Sequence, residues 1–228
     1  RPKIHANEMA ISGGVQVGVK YGAISVDHLE QMGKEEIEAL KGSDTMPTVL
    51  PGCAFFLNLP LSPVRDMINA GLPVAMASDF NPGTSPSGNM QFVLSCACIR
   101  YRMTPEEALN ATTLNTAYAM DVAHELGSIT KGKIANVMIT KPMTQLEFMP
   151  YYYGANKVQT MILTVTATVT IGDKEYYRNL ILSVYDNIEN TGIVAKSNRT
   201  NNFKGDETVV VVRNKVQTKC KYEDLHTM

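Results

Sequence analysis

The sequence predicts an α/β protein with a parallel sheet, followed by a β-rich tail of different composition. Short apolar segments recur about every 20 to 25 residues with amphipathic segments between them, which is the spacing of βα units. All 11 prolines lie at or before Pro150, whereas the chain from about residue 164 is rich in Thr, Val, Asn and Lys. These observations place a junction near residue 160.

Four strands and five helices are predicted in the first 124 residues. The strands are 3–5, 23–28, 48–50 and 73–79. The helices lie around 13–21, 34–41, 62–70, 89–102 and 104–124. Gly71 is placed to end the third helix, and Thr104 can cap the fifth, with Pro105 in its first turn.

The tail is predicted to contain β-hairpins. Residues 164–170 alternate strictly between Thr and apolar side chains, Gly172-Asp173 can form a turn, and residues 176–185 can run back. A short strand over 135–140 precedes the hairpin, and another strand over 207–213 follows it.

Charge and hydropathy exclude several classes of function. The 228 residues include 21 basic and 22 acidic side chains, so the long-range positive field of nucleic-acid-binding proteins is absent. No segment approaches the ~18 consecutive apolar residues of a membrane span, and the first residues have no apolar signal core. Four scattered cysteines are unlike a disulfide framework and favour a reducing cytoplasm.

Chemically capable side chains stand at the ends of three predicted strands: His5, His28 and Asp79. In parallel βα architectures the carboxyl ends of the strands carry the chemistry. Imidazole and carboxylate are ligands for zinc and non-haem iron, and Glu8 is placed to act as an acid or base beside them. A single residue of this kind more often has a structural role or is merely exposed, whereas three together at strand ends in βα order favour a site. Cys96 and Cys98 lie two apart on a helix and are interpreted as packing residues.

Three segments occur together in the order typical of one family. They are Lys3-Ile4-His5-Ala6-Asn7-Glu8, Val26-Asp27-His28-Leu29-Glu30 and Ala77-Ser78-Asp79-Phe80-Asn81-Pro82-Gly83. Residues 1–163 thereby resemble the imidazolonepropionase family of the amidohydrolase superfamily. The resemblance implies hydrolysis of 4-imidazolone-5-propanoate to N-formimino-L-glutamate in histidine degradation, with one zinc or iron ion, a small-molecule substrate and a homodimeric full-length enzyme.

The resemblance also assigns roles to individual residues. His5 and Asp79 are expected to bind the metal, and Asp79 also to accept a proton from water. His28 is expected to hydrogen-bond the attacked carbonyl or the hydroxide, and Glu8 to hold a ring N–H of the substrate and help move its proton to the leaving nitrogen. Asn81, Gly83 and Thr84 are expected to approach the substrate.

The architecture implied by the resemblance is the C-terminal half, strands five to eight, of a (β/α)8 TIM barrel in residues 1–125. Residues 126–163 are expected to supply strands of a small β-sandwich, and residues 164–228 a β-rich tail of unknown relation. The family's His-x-His pair of the first barrel strand has no counterpart, so we expect no hydrolysis by this chain alone. Two alternatives stay open: another cyclic-amide amidohydrolase, and a non-catalytic remnant fused to a β-rich binding module.

Overall fold

The computed structural model describes residues 1–153, 155, 157–171, 174–186, 193–197, 208–213 and 216–221. They divide into two compact units. The first contains residues 1–133 and the described part of 143–156, and the second contains 134–142 and the described residues from Lys157 onward. The sequence-based division at residues 125 and 163 stays a prediction.

The first unit is built on a parallel sheet with the strand order β1-β2-β3-β4. Its strands are β1 Lys3–Ala6, β2 Ser25–His28, β3 Met46–Val49 and β4 Ala75–Met76. The helices are α1 Gly14–Lys20, α2 Lys34–Leu40, α3 Pro51–Phe56, α4 Val64–Asn69, α5 Met90–Ile99, α6 Pro105–Thr112, α7 Leu114–Ala119 and α8 Phe148–Tyr151. Strands and helices alternate as predicted, and the apolar side chains between them form the core.

Local sequence explains several element ends. Gly71 has a φ of 84° just after α4, which is the left-handed geometry that glycine adopts at helix ends. The Thr104 hydroxyl accepts a hydrogen bond from the Glu107 amide, and the Glu107 carboxylate accepts one from the Thr104 amide, so α6 begins with a capping box.

The structure corrects two sequence-based boundaries and adds one helix. The predicted helix over 104–124 is two helices, α6 and α7, separated at Thr113. The hydroxyls of Thr112 and Thr113 bond to carbonyls one turn back, an interaction that competes with regular helix geometry. The fourth strand covers only Ala75–Met76. Helix α3 was not predicted at all, because six residues are too few to show helical periodicity.

The second unit contains antiparallel strands. They are β5 Val137–Thr140, β6 Val158–Ile171, β7 Lys174–Asp186, β8 Ile193–Ser197, β9 Thr208–Arg213 and β10 Val216–Lys221. One sheet has the order β5-β6-β7-β8, and β9 pairs with β10. The pairing of β6 with β7 from Thr160↔Tyr185 to Ile171↔Lys174 confirms the predicted hairpin. None of the helices in the described part of the chain is long and apolar enough to cross a membrane.

Candidate metal centre

The parallel register of the first two strands places their carboxyl ends side by side. His5 on β1 is opposite Asp27 on β2, and Ala6 is opposite His28. Beyond the strand ends the Leu29 amide donates to the Ala6 carbonyl, and the Gln31 amide to the Asn7 carbonyl. The loops that follow β1 and β2 therefore run together at one edge of the sheet.

Two imidazoles and one carboxylate converge at this edge. Ligand atoms of His5, Glu8 and His28 all lie within 4.8 Å of one another. Glu8 Oε2 is 3.0 Å from His5 Nε2, and Glu8 Oε1 is 3.9 Å from His28 Nδ1. The two imidazole rings are 4.1 Å apart between centroids. Of the described residues, these three form the group of histidine and carboxylate side chains that could hold a metal ion.

The three side chains differ in their access to solvent. The side chain of His5 is 63% exposed, whereas that of Glu8 is 16% and that of His28 is 7% exposed. Burial acts to lower the pKa of His28, but the carboxylates of Glu30, Glu8 and Asp79 outweigh it, so that the pKa is raised. The site is thus an electronegative edge that favours a bound cation.

Strained backbone accompanies the site residues. Asn7, His28, Leu29 and Asp79 have φ angles of 55°, 88°, 73° and 50°. Residues other than glycine seldom adopt this left-handed region, and each such residue costs about 1–3 kcal/mol. Asn58, Arg102 and Asp121, outside the site group, share this geometry, so positive φ alone does not mark the site.

Asn7 joins the loops that follow β1 and β2. Its side-chain amide donates to the Gln31 carbonyl at 3.0 Å, and its side-chain oxygen accepts from the Ser12 amide and hydroxyl. The residue is 2% exposed. Because Asn7 lies between His5 and Glu8 in the sequence, these bonds fix the backbone that presents both side chains.

The loop after β4 is organised by Asn81. Its side-chain nitrogen donates to the backbone carbonyl of Asp79 at 2.7 Å and lies 3.3 Å from Asp79 Oδ2. Its side-chain oxygen accepts from the amides of Gly83 and Thr84 at 2.9 and 2.7 Å. Asn81 therefore holds the Asp79 carboxylate and shapes the loop that contains the other predicted substrate-binding residues.

Of the predicted site residues, the structure brings together His5, Glu8 and His28. Asp79 is half-buried and lies outside the group of described side chains within 4.8 Å, although its charge acts on His28. Cys53, which was not predicted, lies beside the site: its thiol donates to Glu8 Oε1 at 3.6 Å. Burial, together with the charges of Glu8 and Asp79, raises the pKa of the Cys53 thiol to about 11. No motif marks Cys53, because it lies 45 residues from Glu8.

The parallel α/β sheet, with imidazole and carboxylate groups at the carboxyl end of its strands, defines a TIM-barrel-like protein with a candidate metal centre. A family model described as "Amidohydrolase family" matches residues 57–175. The chain belongs to the amidohydrolase family.

Curated relatives are similar over the first 160 or so residues. The imidazolonepropionase of Flavobacterium johnsoniae is 56% identical over 163 residues, which are 72% of this chain and 40% of the relative. That of Caldanaerobacter subterraneus is 44% identical over 162 residues, 71% of this chain and 39% of the relative. The chain thus spans about two fifths of the length of these relatives.

Solved structures show the same fold at low sequence identity. An adenosine deaminase from Xanthomonas campestris with bound zinc has a TM-score of 0.60 and 18% identity, and the match covers 76% of this chain and 45% of that one. The atrazine chlorohydrolase TrzN from Arthrobacter aurescens, complexed with zinc, has a TM-score of 0.54 and 15% identity, covering 61% and 34%. Both similarities concern the fold alone.

Proposed function

We propose that this site belongs to a metal-dependent hydrolase that opens the imidazolone ring of 4-imidazolone-5-propanoate to N-formimino-L-glutamate in histidine degradation. The observation that carries the proposal is the convergence of His5, Glu8 and His28 at the carboxyl edge of the sheet. The identity of 41–56% to imidazolonepropionases supports this choice of substrate. Because the chain spans 40% of the first relative, the activity and the small-molecule substrate both belong to the proposal.

A single zinc or iron ion fits the donor set. Imidazole nitrogen and carboxylate oxygen are ligands that both metals accept. In addition, the ligand atoms of His5, Glu8 and His28 lie within 4.8 Å of one another, which is close enough to surround one ion. We propose His5 and Asp79 as metal ligands, with Glu8 and His28 beside them. When bound, such an ion acidifies water and polarises a carbonyl group.

The residues of this chain then have separate roles. The Asp79 carboxylate accepts a proton from the attacking water, and His28 hydrogen-bonds the attacked carbonyl or the hydroxide. Glu8 accepts a hydrogen bond from a ring N–H of the substrate and helps to move that proton to the leaving nitrogen. Asn81, Gly83 and Thr84 form the loop that approaches the substrate. The contact between Asn81 and the Asp79 carboxylate supports a link between this loop and the metal centre.

The proposal includes a particular architecture. Residues 1–125 correspond to strands five to eight of an eight-stranded barrel, residues 126–163 to strands of a small β-sandwich, and the relation of residues 164–228 stays open. We further propose a homodimer for the full-length enzyme and a location in the cytoplasm. The free cysteines Cys53, Cys96 and Cys98 are consistent with a reducing compartment.

Zinc titration of the purified chain tests the metal centre. By isothermal calorimetry we expect one bound ion per chain, and at least a tenfold loss of affinity in His5→Ala and Asp79→Ala. His124→Ala is the matched control, because His124 is an exposed histidine outside the cluster. Equal affinity in His5→Ala and His124→Ala contradicts the site. If zinc affinity falls in Glu8→Gln but not in Asp79→Ala, the carboxylate ligand is Glu8 instead of Asp79.

A chimera tests the reaction. Residues 1–163 of this chain replace the matching segment of the F. johnsoniae enzyme, and disappearance of imidazolone propionate is followed spectroscopically. We expect turnover that is lost in Glu8→Gln. A chimera that binds zinc but turns over only another cyclic amide favours the second amidohydrolase hypothesis. A folded chimera without zinc affinity favours the non-catalytic remnant.

A further inference from the structure

A buried carboxylate lies behind His28 without hydrogen-bond partners. The Glu30 side chain is 0% exposed, and neither of its oxygens has a hydrogen-bond partner among the described residues. Nδ1 of His28 is also buried and also has no hydrogen-bond partner among the described residues. Glu30 Oε2 is 3.7 Å from this nitrogen. An unpaired carboxylate in a protein interior costs several kcal/mol, so the contact with the imidazole is the interaction that offsets the cost.

The backbone holds the two side chains together. Two successive residues other than glycine, His28 and Leu29, have positive φ angles of 88° and 73°, and Leu29 is fully buried in the core. The Ser62 hydroxyl donates to the His28 carbonyl at 3.1 Å and so fixes the same turn. The strained turn therefore has little freedom to move Glu30 away from the ring.

Two carboxylates face the same nitrogen of His28. Glu8 Oε1 lies 3.9 Å from Nδ1 and Glu30 Oε2 lies 3.7 Å from it. Glu8 already has other partners, since its Oε2 is 3.0 Å from His5 Nε2 and its Oε1 accepts from the Cys53 thiol. Glu30 has no other hydrogen-bond partner among the described residues. Glu30 is consequently the carboxylate that is free to accept a hydrogen bond from Nδ1–H.

We propose that Glu30 is a positioning residue, which accepts a hydrogen bond from Nδ1–H of His28 and fixes the neutral imidazole in the tautomer protonated at Nδ1. The nitrogen Nε2 then keeps its lone pair and can accept a hydrogen bond from the hydroxide, and Glu8 stays available as an acid or base. A carboxylate behind a histidine commonly sets ring orientation and tautomer in this way. Closing the gap from 3.7 Å to the ~2.8 Å of a charge-assisted bond needs only a small side-chain rotation. The role of Glu30 rests on the proposed function of His28.

Nitrogen NMR of histidine side chains tests this assignment in the full chain. With 15N-labelled histidine at alkaline pH, the signals of His28 are identified by their loss in His28→Gln. We expect the wild-type ring to be protonated at Nδ1, and Glu30→Leu to shift it to the form protonated at Nε2. Glu30→Gln retains a carbonyl acceptor and is expected to restore protonation at Nδ1. Glu106→Leu removes an exposed carboxylate elsewhere and is the matched control.

The outcomes separate tautomer control from folding and from metal binding. Replacing a buried, unpaired carboxylate by an apolar side chain is commonly tolerated, and circular dichroism checks that Glu30→Leu is folded. Protonation at Nε2 in the wild type, or an unchanged His28 spectrum in folded Glu30→Leu, overturns the proposal. The spectrum needs neither metal nor turnover. Tautomer control without zinc affinity therefore supports the role of Glu30 and contradicts the proposed hydrolase, whereas zinc affinity with an unchanged tautomer does the reverse.

Discussion

Glu107→Gln is expected to destabilise helix α6 in a pH-dependent manner. The Glu107 carboxylate accepts two hydrogen bonds from the Arg65 guanidinium, at 2.7 and 3.1 Å, and one from the Thr104 amide at 2.8 Å. The Arg65 and Glu107 side chains are 35% and 29% exposed, so solvent screening reduces the value of the ion pair. With the capping interaction, we expect a loss of about 1 kcal/mol at neutral pH.

The sign of the pH effect follows from the pKa of Glu107. The Arg65 hydrogen bonds lower this pKa below its ordinary value, and the Thr104 amide adds to the shift. The stabilisation is therefore fully present above the ordinary pKa of 4.5 and is lost as the pH falls through the lower folded-state pKa. The difference between wild type and Glu107→Gln should disappear in acid.

Hydrogen exchange measured by mass spectrometry on peptides covering 104–112 provides the assay. A loss of about 1 kcal/mol corresponds to roughly fivefold weaker protection at pH 7. Glu106→Gln is the matched control, since Glu106 lies in the same first turn of α6 and is exposed. Equal loss of protection in both variants would show that only the charge near the helix N-terminus matters. A difference that persists in acid would also refute the reasoning.

Two further perturbations test packing and burial. A Cβ at Gly18 would lie 2.5 Å from Val26 Cγ1, so Gly18→Ala should cost more through overpacking than the ~1 kcal/mol gained from helix propensity. We expect Gly18→Ala to lower the Tm and the added substitution Val26→Ala to restore it in part. An unchanged Tm in Gly18→Ala contradicts the close approach. Cys53 and Cys96 are buried, and burial raises both thiol pKa values to about 11. Iodoacetamide at pH 8 should modify them only in urea, and rapid labelling of the native chain, detected by mass spectrometry, contradicts this.

The order of strands and helices could be predicted because it depends on local patterns. Short apolar runs with helices between them define β1, β2 and their parallel arrangement, and adjacent parallel strands bring His5 and His28 to one edge. The ends of the elements were less predictable. The break at Thr113 depends on a hydroxyl bond to the Leu109 carbonyl, which no periodicity reveals.

The candidate site was only partly predictable for the same reason. His5, Glu8 and His28 are chemically conspicuous residues near strand ends, and the structure places them within 4.8 Å of one another. Asn7 and Glu30 have ordinary residue types, and their importance comes from tertiary burial and contacts. Asn7, for example, bonds to Gln31, 24 residues along the chain. Such contacts become visible only once the two strands are paired.

Left-handed backbone and a buried carboxylate at the carboxyl edge of the parallel sheet bear on whether the site there is functional. Left-handed backbone at Asn7, His28 and Leu29 costs about 1–3 kcal/mol per residue, and the buried carboxylate of Glu30 adds to that cost. In a remnant without catalytic use, glycine substitutions at the strained positions or an apolar residue at position 30 would remove these costs without penalty. Left-handed backbone also occurs at Asn58, Arg102 and Asp121, so the buried charge of Glu30 beside His28 is the feature that favours a functional site. The alternative of a non-catalytic remnant therefore has to explain why strain, a buried charge and metal-ligand chemistry occur together at the edge where parallel α/β proteins carry their chemistry.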